Sequence, residues 1–117
     1  MRVFKNKWFD HRARKEDISD AVLLGAAEEV AAGKVEAGIG GCLFKKRLSR
    51  TRGGKRGAYR VIVGYKKPDT KRIIFLYAFA KEEAALSLVA ESFVSTADKQ
   101  VQELLAAGSI WEVQCHE

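Results

Sequence analysis

Lys45, Arg47 and Arg60 are the residues of this chain whose types and spacing best suit chemistry, because together they can grip an anion from several sides. They lie in a stretch from Ala37 to Pro68 that holds ten Lys or Arg residues and no Asp or Glu. The whole chain has 21 basic and 15 acidic residues, which leaves 11 basic against 15 acidic elsewhere, so the net charge of +6 is a local field. A solvated face normally mixes both signs; a stretch of one sign suits a polyanion. Successive residues of a strand point to opposite sides. With Phe44 and Leu48 facing a core, Lys45 and Arg47 share the other side, while Lys46 goes with the core residues. On the next apolar run Tyr59, Val61 and Val63 form one phase and Arg60 opposes them. Lys45, Arg47 and Arg60 are therefore expected to converge on one phosphate-binding surface. Arg60 is the expected clamp, since a guanidinium binds two oxygens at once. Lys81, at the end of a later strand, is a candidate proton donor or second cation. Arg50, Arg52, Lys55 and Arg56 are expected to hold a nucleic-acid backbone without reading its sequence, with Lys46 and Tyr59 as further contacts.

These residues need a scaffold. Arg2–Phe4 reads as a short strand, and Asn6 to about Arg14 as a helix, with Phe4 and Trp8 as core anchors. Ser19 is a good N-cap for a second helix whose Leu23, Ala26, Ala27 and Val30 share one face; Gly33 ends it. Gly38–Gly41 reads as a flexible tight turn with no phosphate-loop pattern. Leu43–Ser49 reads as a strand, Arg50–Gly57 as a basic hairpin loop and Tyr59–Tyr65 as the returning strand. Arg72–Ala80 is apolar on both sides, as a strand covered from both faces must be. Helical spacing returns with Leu86, Val89, Ala90 and Phe93. Ser95 with Asp98 then resembles a capping box before Val101, Leu104 and Leu105, with Gly108 as the stop and Ile110–Gln114 as a last strand. The expectation is one α+β domain over residues 1–117. Its small antiparallel sheet has three to five strands, with the helices mainly on one face and the other face partly open as a cleft.

Length and composition fit a single globular domain. No apolar run reaches the ~18 residues of a membrane helix, and the N-terminus MRVFKNKWFD lacks the apolar stretch and cleavage site of a signal peptide. The cytoplasm is the expected compartment, with no membrane partner. Cys42 and Cys115 form no CxxC or Cys/His cluster, so neither a structural zinc nor any other metal or cofactor is expected.

Three blocks carry a family likeness: Gly40-Gly41-Cys42-Leu43-Phe44-Lys45-Lys46-Arg47-Leu48, then Gly54-Lys55-Arg56-Gly57-Ala58-Tyr59-Arg60, then Ile74 to Glu83 (IFLYAFAKEE). In this order and spacing they resemble a branch of the RelE/ParE toxin superfamily, and Leu104–Val113 resembles its tail. The resemblance implies a bacterial type II toxin held by a cognate antitoxin, often a helix-turn-helix protein, with operator DNA reached only through that antitoxin. RelE-like members cut mRNA, usually on the ribosome and without a metal; ParE-like members inhibit DNA gyrase. The branch usually has Asn where Glu82 stands and Arg two positions beyond Lys81, where this chain has Glu83 followed by Ala84.

Metal-free RNA cleavage activates the 2′-hydroxyl, holds the phosphorus in line, stabilises added negative charge and protonates the leaving 5′-oxygen. His11 and His116 lie outside the basic stretch, so proton transfer by histidine is not at hand, and cleavage has to rest on preorganised cations. The leading expectation is a ribosome-dependent mRNA endoribonuclease. The alternatives are a catalytically weak homologue acting as an antitoxin-binding co-repressor, and a gyrase inhibitor. Tyr59, Tyr65 and Tyr77 can stack bases or pack in the sheet. Trp111 can fill the core or meet an antitoxin. His116 stands at a terminus of the kind that frays, and Cys42 reads as a packed thiol.

Overall fold

The computed structural model describes residues 1–49, 58–66, 72–78 and 83–114. Among these, in chain order, run β1 (Arg2–Asn6), α1 (Lys7–Lys15), α2 (Asp20–Ala31), β2 (Ala37–Gly40), β3 (Leu43–Ser49), β4 (Ala58–Tyr65), β5 (Arg72–Ala78), α3 (Glu83–Ser95), α4 (Asp98–Ala106) and β6 (Ile110–Glu112). The strands form one six-stranded sheet ordered β2-β3-β4-β5-β1-β6. Every neighbouring pair is antiparallel except β1 with β5. The fold is the expected α+β one with a mostly antiparallel sheet, but larger than three to five strands.

The helices differ from expectation in their placement. Phe9, Ala13, Leu23, Ala27 and Val30 of α1 and α2 pack with Leu48, Val61, Val63, Ile73 and Phe75 on one face. Ala90, Phe93, Val94 and Val101 of α3 and α4 pack with Leu43, Ile62, Ile74 and Leu76 on the other. Helices therefore cover both faces. The connectivity explains it: α1 and α2 carry the chain from β1 across one face to the far edge at β2, and α3 and α4 return it from β5 to β6 over the other. The two-sided apolar composition of β5 already required two cover layers.

Local signals set most boundaries. Asn6 Oδ1 accepts the Phe9 backbone N–H at 2.7 Å and starts α1, while Asn6 Nδ2 donates to the Leu76 carbonyl at 3.0 Å. That phase turns Phe9 inward, and Trp8, expected in the core, is 39% exposed and stacked on Tyr77 with ring centroids 4.0 Å apart. Ser19 Oγ caps α2 by accepting the Val22 N–H at 3.3 Å, and Gly33, at φ +88°, follows its end. Ser95 and Asp98 do not form the expected box. Ser95 closes α3, Ala97 is the N-cap of α4, and the Gln100 side chain accepts the Ala97 N–H at 3.3 Å. Gly38–Gly41, expected as a turn, supplies most of edge strand β2, which pairs with β3 through an irregular register.

Buried cations fasten helices to strands. Arg72 donates from Nη1 to the Phe93 carbonyl at 2.8 Å and from Nη2 to Asp98 Oδ1 at 2.8 Å. It thereby adds a second donor to a carbonyl near the end of α3, which also accepts the Thr96 N–H at 3.3 Å, and satisfies a carboxylate in the first turn of α4. Lys5 Nζ lies 2.9 Å from Asp10 Oδ1 and 3.1 Å from Asp20 Oδ1, joining β1 to both α1 and α2.

Close packing and this charge network each yield a testable consequence. A Cβ on Gly64 would stand 2.7 Å from the Ala90 Cβ, so β4 and α3 touch at a site with no room for a methyl group. Gly64→Ala is expected to cost about 1–3 kcal/mol by overpacking, read as a shift in the urea midpoint. Ala90→Gly should recover part of that loss when combined with it. Burial would raise the Asp10 carboxyl, but hydrogen bonds from Lys5 and Arg14 outweigh it and hold the group below its ordinary value. A carboxyl lowered on folding stabilises above its unfolded pKa, and that contribution disappears as pH falls through the folded one. Stability should therefore decline below about pH 4, and less steeply in Asp10→Asn; urea titrations across pH 2–7 read both slopes.

Candidate nucleic-acid interface

The site is built by the pairing of β3 with β4. Leu43 faces Gly64, Lys45 faces Ile62, and Arg47 faces Arg60 directly across the ladder. Residues opposed in this way project to the same side, and Lys45 and Arg47 share a phase along β3. The three cations expected to converge thus share the face that carries Leu43 and Ile62. Along that face the side chains change from apolar, at Leu43, to cationic, at Arg47 and Arg60. Arg47 and Arg60 are well exposed, with side chains 58% and 45% accessible.

Lys46 is placed elsewhere. It points to the α2 face and is 8% exposed; its Nζ pairs with Glu29 at 2.6 Å and donates to the Lys34 carbonyl at 3.0 Å. The hydrogen bond and charge of Lys46 hold the Glu29 carboxyl below its ordinary range. A cation spent in this way anchors β3 to the end of α2 and is withdrawn from the surface where contact with RNA was expected.

Sequence reasoning missed Glu36. It sits in the bend leading into β2, with its backbone N–H donating to the Lys45 carbonyl at 2.8 Å. Arg60 Nε donates to both Glu36 carboxylate oxygens, at 3.0 and 3.2 Å, and Arg47 Nη2 lies 3.7 Å from Oε2. The hydrogen bond from Arg60 leads in holding the Glu36 carboxyl below the usual range, with further help from the charges of Arg60, Arg47 and Lys45. A signal was present: Glu36 is the residue immediately before the acid-free stretch.

Arg50, Arg52, Lys55, Arg56, Lys81, Glu82 and His116 lie outside the described residues. Tyr59 is described by its backbone, paired with Leu48. Tyr65 is buried in the core; Tyr77 is half-buried beneath Trp8. Trp111 is half-buried on β6, and His11 is exposed on α1. Cys42 is buried, and burial pushes its thiol pKa up, as expected of a packed rather than a nucleophilic thiol. Among the described residues no group of His, Cys, Asp or Glu is arranged to hold a metal ion, and no helix is long and apolar enough to cross a membrane.

Residues 1–113 match the family model described as the RelE toxin of the RelE / RelB toxin-antitoxin system. The chain belongs to the RelE toxin family. It is thus the toxin of a toxin–antitoxin system, and membership implies a cognate antitoxin as partner. No curated protein and no solved structure matches the chain. Within this RelE-family fold the described cations of β3 and β4 divide into an outward group, Lys45, Arg47 and Arg60, and an inward anchor, Lys46.

That division can be measured. Lys46→Ala removes the Lys46 bond to the Lys34 carbonyl and its ion pair with Glu29, so it should lower stability, read as a lower urea midpoint. Its affinity for single-stranded RNA at low salt should change by no more than about twofold, whereas Arg60→Ala should lower that affinity several-fold and reduce its salt dependence.

Proposed function

We propose that this toxin is an endoribonuclease that cuts mRNA on the ribosome without a metal and so arrests translation and growth. The observation that supports it most is the direct opposition of Arg47 and Arg60 across the β3–β4 ladder, with Lys45 in phase beside them. Cleavage by the adjacent 2′-hydroxyl, which gives up its proton to solvent, forms a bond from that oxygen to phosphorus, breaks the bond to the leaving 5′-oxygen and leaves a 2′,3′-cyclic phosphate. Negative charge grows on the non-bridging oxygens between the two events. Two guanidinium groups fixed on neighbouring strands can meet those oxygens with little reorganisation, and such preorganised donors are among the larger contributions to catalysis. Lys45 supplies a third charge, and Lys81 is the candidate to protonate the leaving oxygen. A ribosome that positions the mRNA would supply the in-line alignment that a set of surface cations does not itself impose. The antitoxin is proposed to be of the helix-turn-helix type and to link the toxin to operator DNA.

The bond between Glu36 and Arg60 favours one second reading: a catalytically weak toxin retained for antitoxin binding and co-repression, since part of the cationic field is neutralised within the chain. Induction in a bacterial host separates the two. The nuclease reading expects growth arrest with cut transcripts, and a loss of cleavage of about a hundredfold in Arg60→Ala, with a smaller loss in Lys45→Ala. A wild-type chain that leaves growth and transcripts intact overturns it in favour of the second reading. Growth arrest with intact transcripts and altered plasmid supercoiling would instead point to gyrase.

A further inference from the structure

We propose that Glu36 occupies the phosphate position of the Arg47–Arg60 pair in the free toxin, and that a phosphodiester of the bound RNA displaces it. This rests on the reading of Lys45, Arg47 and Arg60 as a phosphate-binding surface, and adds to it a resident competitor.

The geometry supplies the argument. A carboxylate offers two oxygens on one carbon, as a phosphodiester offers two non-bridging oxygens on one phosphorus, and the same donor set meets either. Arg60 Nε reaches both Glu36 oxygens at 3.0 and 3.2 Å, and Arg47 Nη2 approaches one of them at 3.7 Å. The carboxylate therefore stands in the angle between two cations that project from adjacent strands. The Glu36 side chain keeps 32% of its accessibility, so its bonds compete with water and are weak enough to exchange. Its backbone is pinned to Lys45 at 2.8 Å, so displacement needs only rotation of the side chain. While in place, the carboxylate holds two long side chains near the positions in which a phosphate would need them. A small anion gains little by replacing it. A nucleic-acid chain, which adds contacts at Lys45 and along its backbone, gains enough. The device thus favours polyanions over single phosphates and lowers idle binding.

Binding of a single-stranded 2′-O-methyl oligoribonucleotide, which cannot be cut at its 2′-oxygens, tests this. Wild type, Glu36→Gln, Arg60→Ala and the double variant are compared at about 50 mM salt, where phosphate contacts dominate. Glu36→Gln should bind about fivefold tighter than wild type. In the Arg60→Ala background the same change should gain less than about twofold, because a competitor without its clamp has little left to block. Equal or weaker binding by Glu36→Gln, with wild type still binding and Arg60→Ala impaired, overturns the displacement model and leaves the RNA-binding surface standing. A gain that persists in full in the Arg60→Ala background overturns it as well, because Glu36 would then act only through net charge. Wild type and Arg60→Ala binding alike, or no binding by wild type and Glu36→Gln, removes the phosphate surface itself.

Discussion

The structure depends on covering both faces of β4 and β5. Val61, Val63, Ile73 and Phe75 go to one helix layer, and Ile62, Ile74 and Leu76 to the other, so successive side chains of these strands are buried. Buried polypeptide must have its backbone groups paired, and the flanking strands supply that pairing on both sides. The need for two layers explains why α1 and α2 cross one face while α3 and α4 recross the other. It also explains why Gly64 has no side chain where α3 comes closest. The same alternation, followed outward along β3 and β4, replaces apolar residues with Lys45, Arg47 and Arg60. The site is a continuation of the core pattern past the point where the core needs it.

Charge serves two different purposes here. Lys5, Lys46 and Arg72 are all buried, and each satisfies a carboxylate, with Lys46 and Arg72 also satisfying a helix-end or turn carbonyl. A buried cation without such partners would be costly, and with them it fixes one element against another. Arg47 and Arg60 keep their solvent and share one carboxylate. A count of basic residues merges the two populations, whereas burial separates them. Among the described residues, three cations thus belong to the interior and add nothing to the outward face.

Much of this was legible in the chain. The β3 boundaries, the phase of Lys45 and Arg47 against Lys46, the Ser19 cap and the buried face of α2 all follow from local alternation or capping chemistry that tertiary contacts did not override. Strand β2 was not legible, because Ala37-Gly38-Ile39-Gly40 has no side-chain alternation to display; its pairing is a matter of backbone bonds to β3. Trp8 misled because an aromatic residue near an apolar one invites the core assignment, whereas the Asn6 cap sets the phase and selects Phe9. The expectation of helices mainly on one face fails because element order alone does not say over which side a connection passes. Glu36 escaped for a different reason. An acid-free stretch ends at Ala37 by definition, and the carboxylate that faces both arginines is the residue just before it.

The position of β1 bears on the life history of the chain. Residues 2–5 pair with Arg72 to Phe75, and residues 4–6 with Ile110 to Glu112, so β1 is enclosed by two strands that follow it at a long distance in the chain. During synthesis it emerges long before either neighbour exists. A sheet assembled from such distant segments closes late and slowly, since the entropy of long loops must be met before the contacts reward it. The arginine ladder of β3 and β4, joined by a short local connection, can form well before β1 is sealed in place. The basic surface and its scaffold thus differ in the span of chain each must close: local for β3 with β4, most of the chain for β1 with β6.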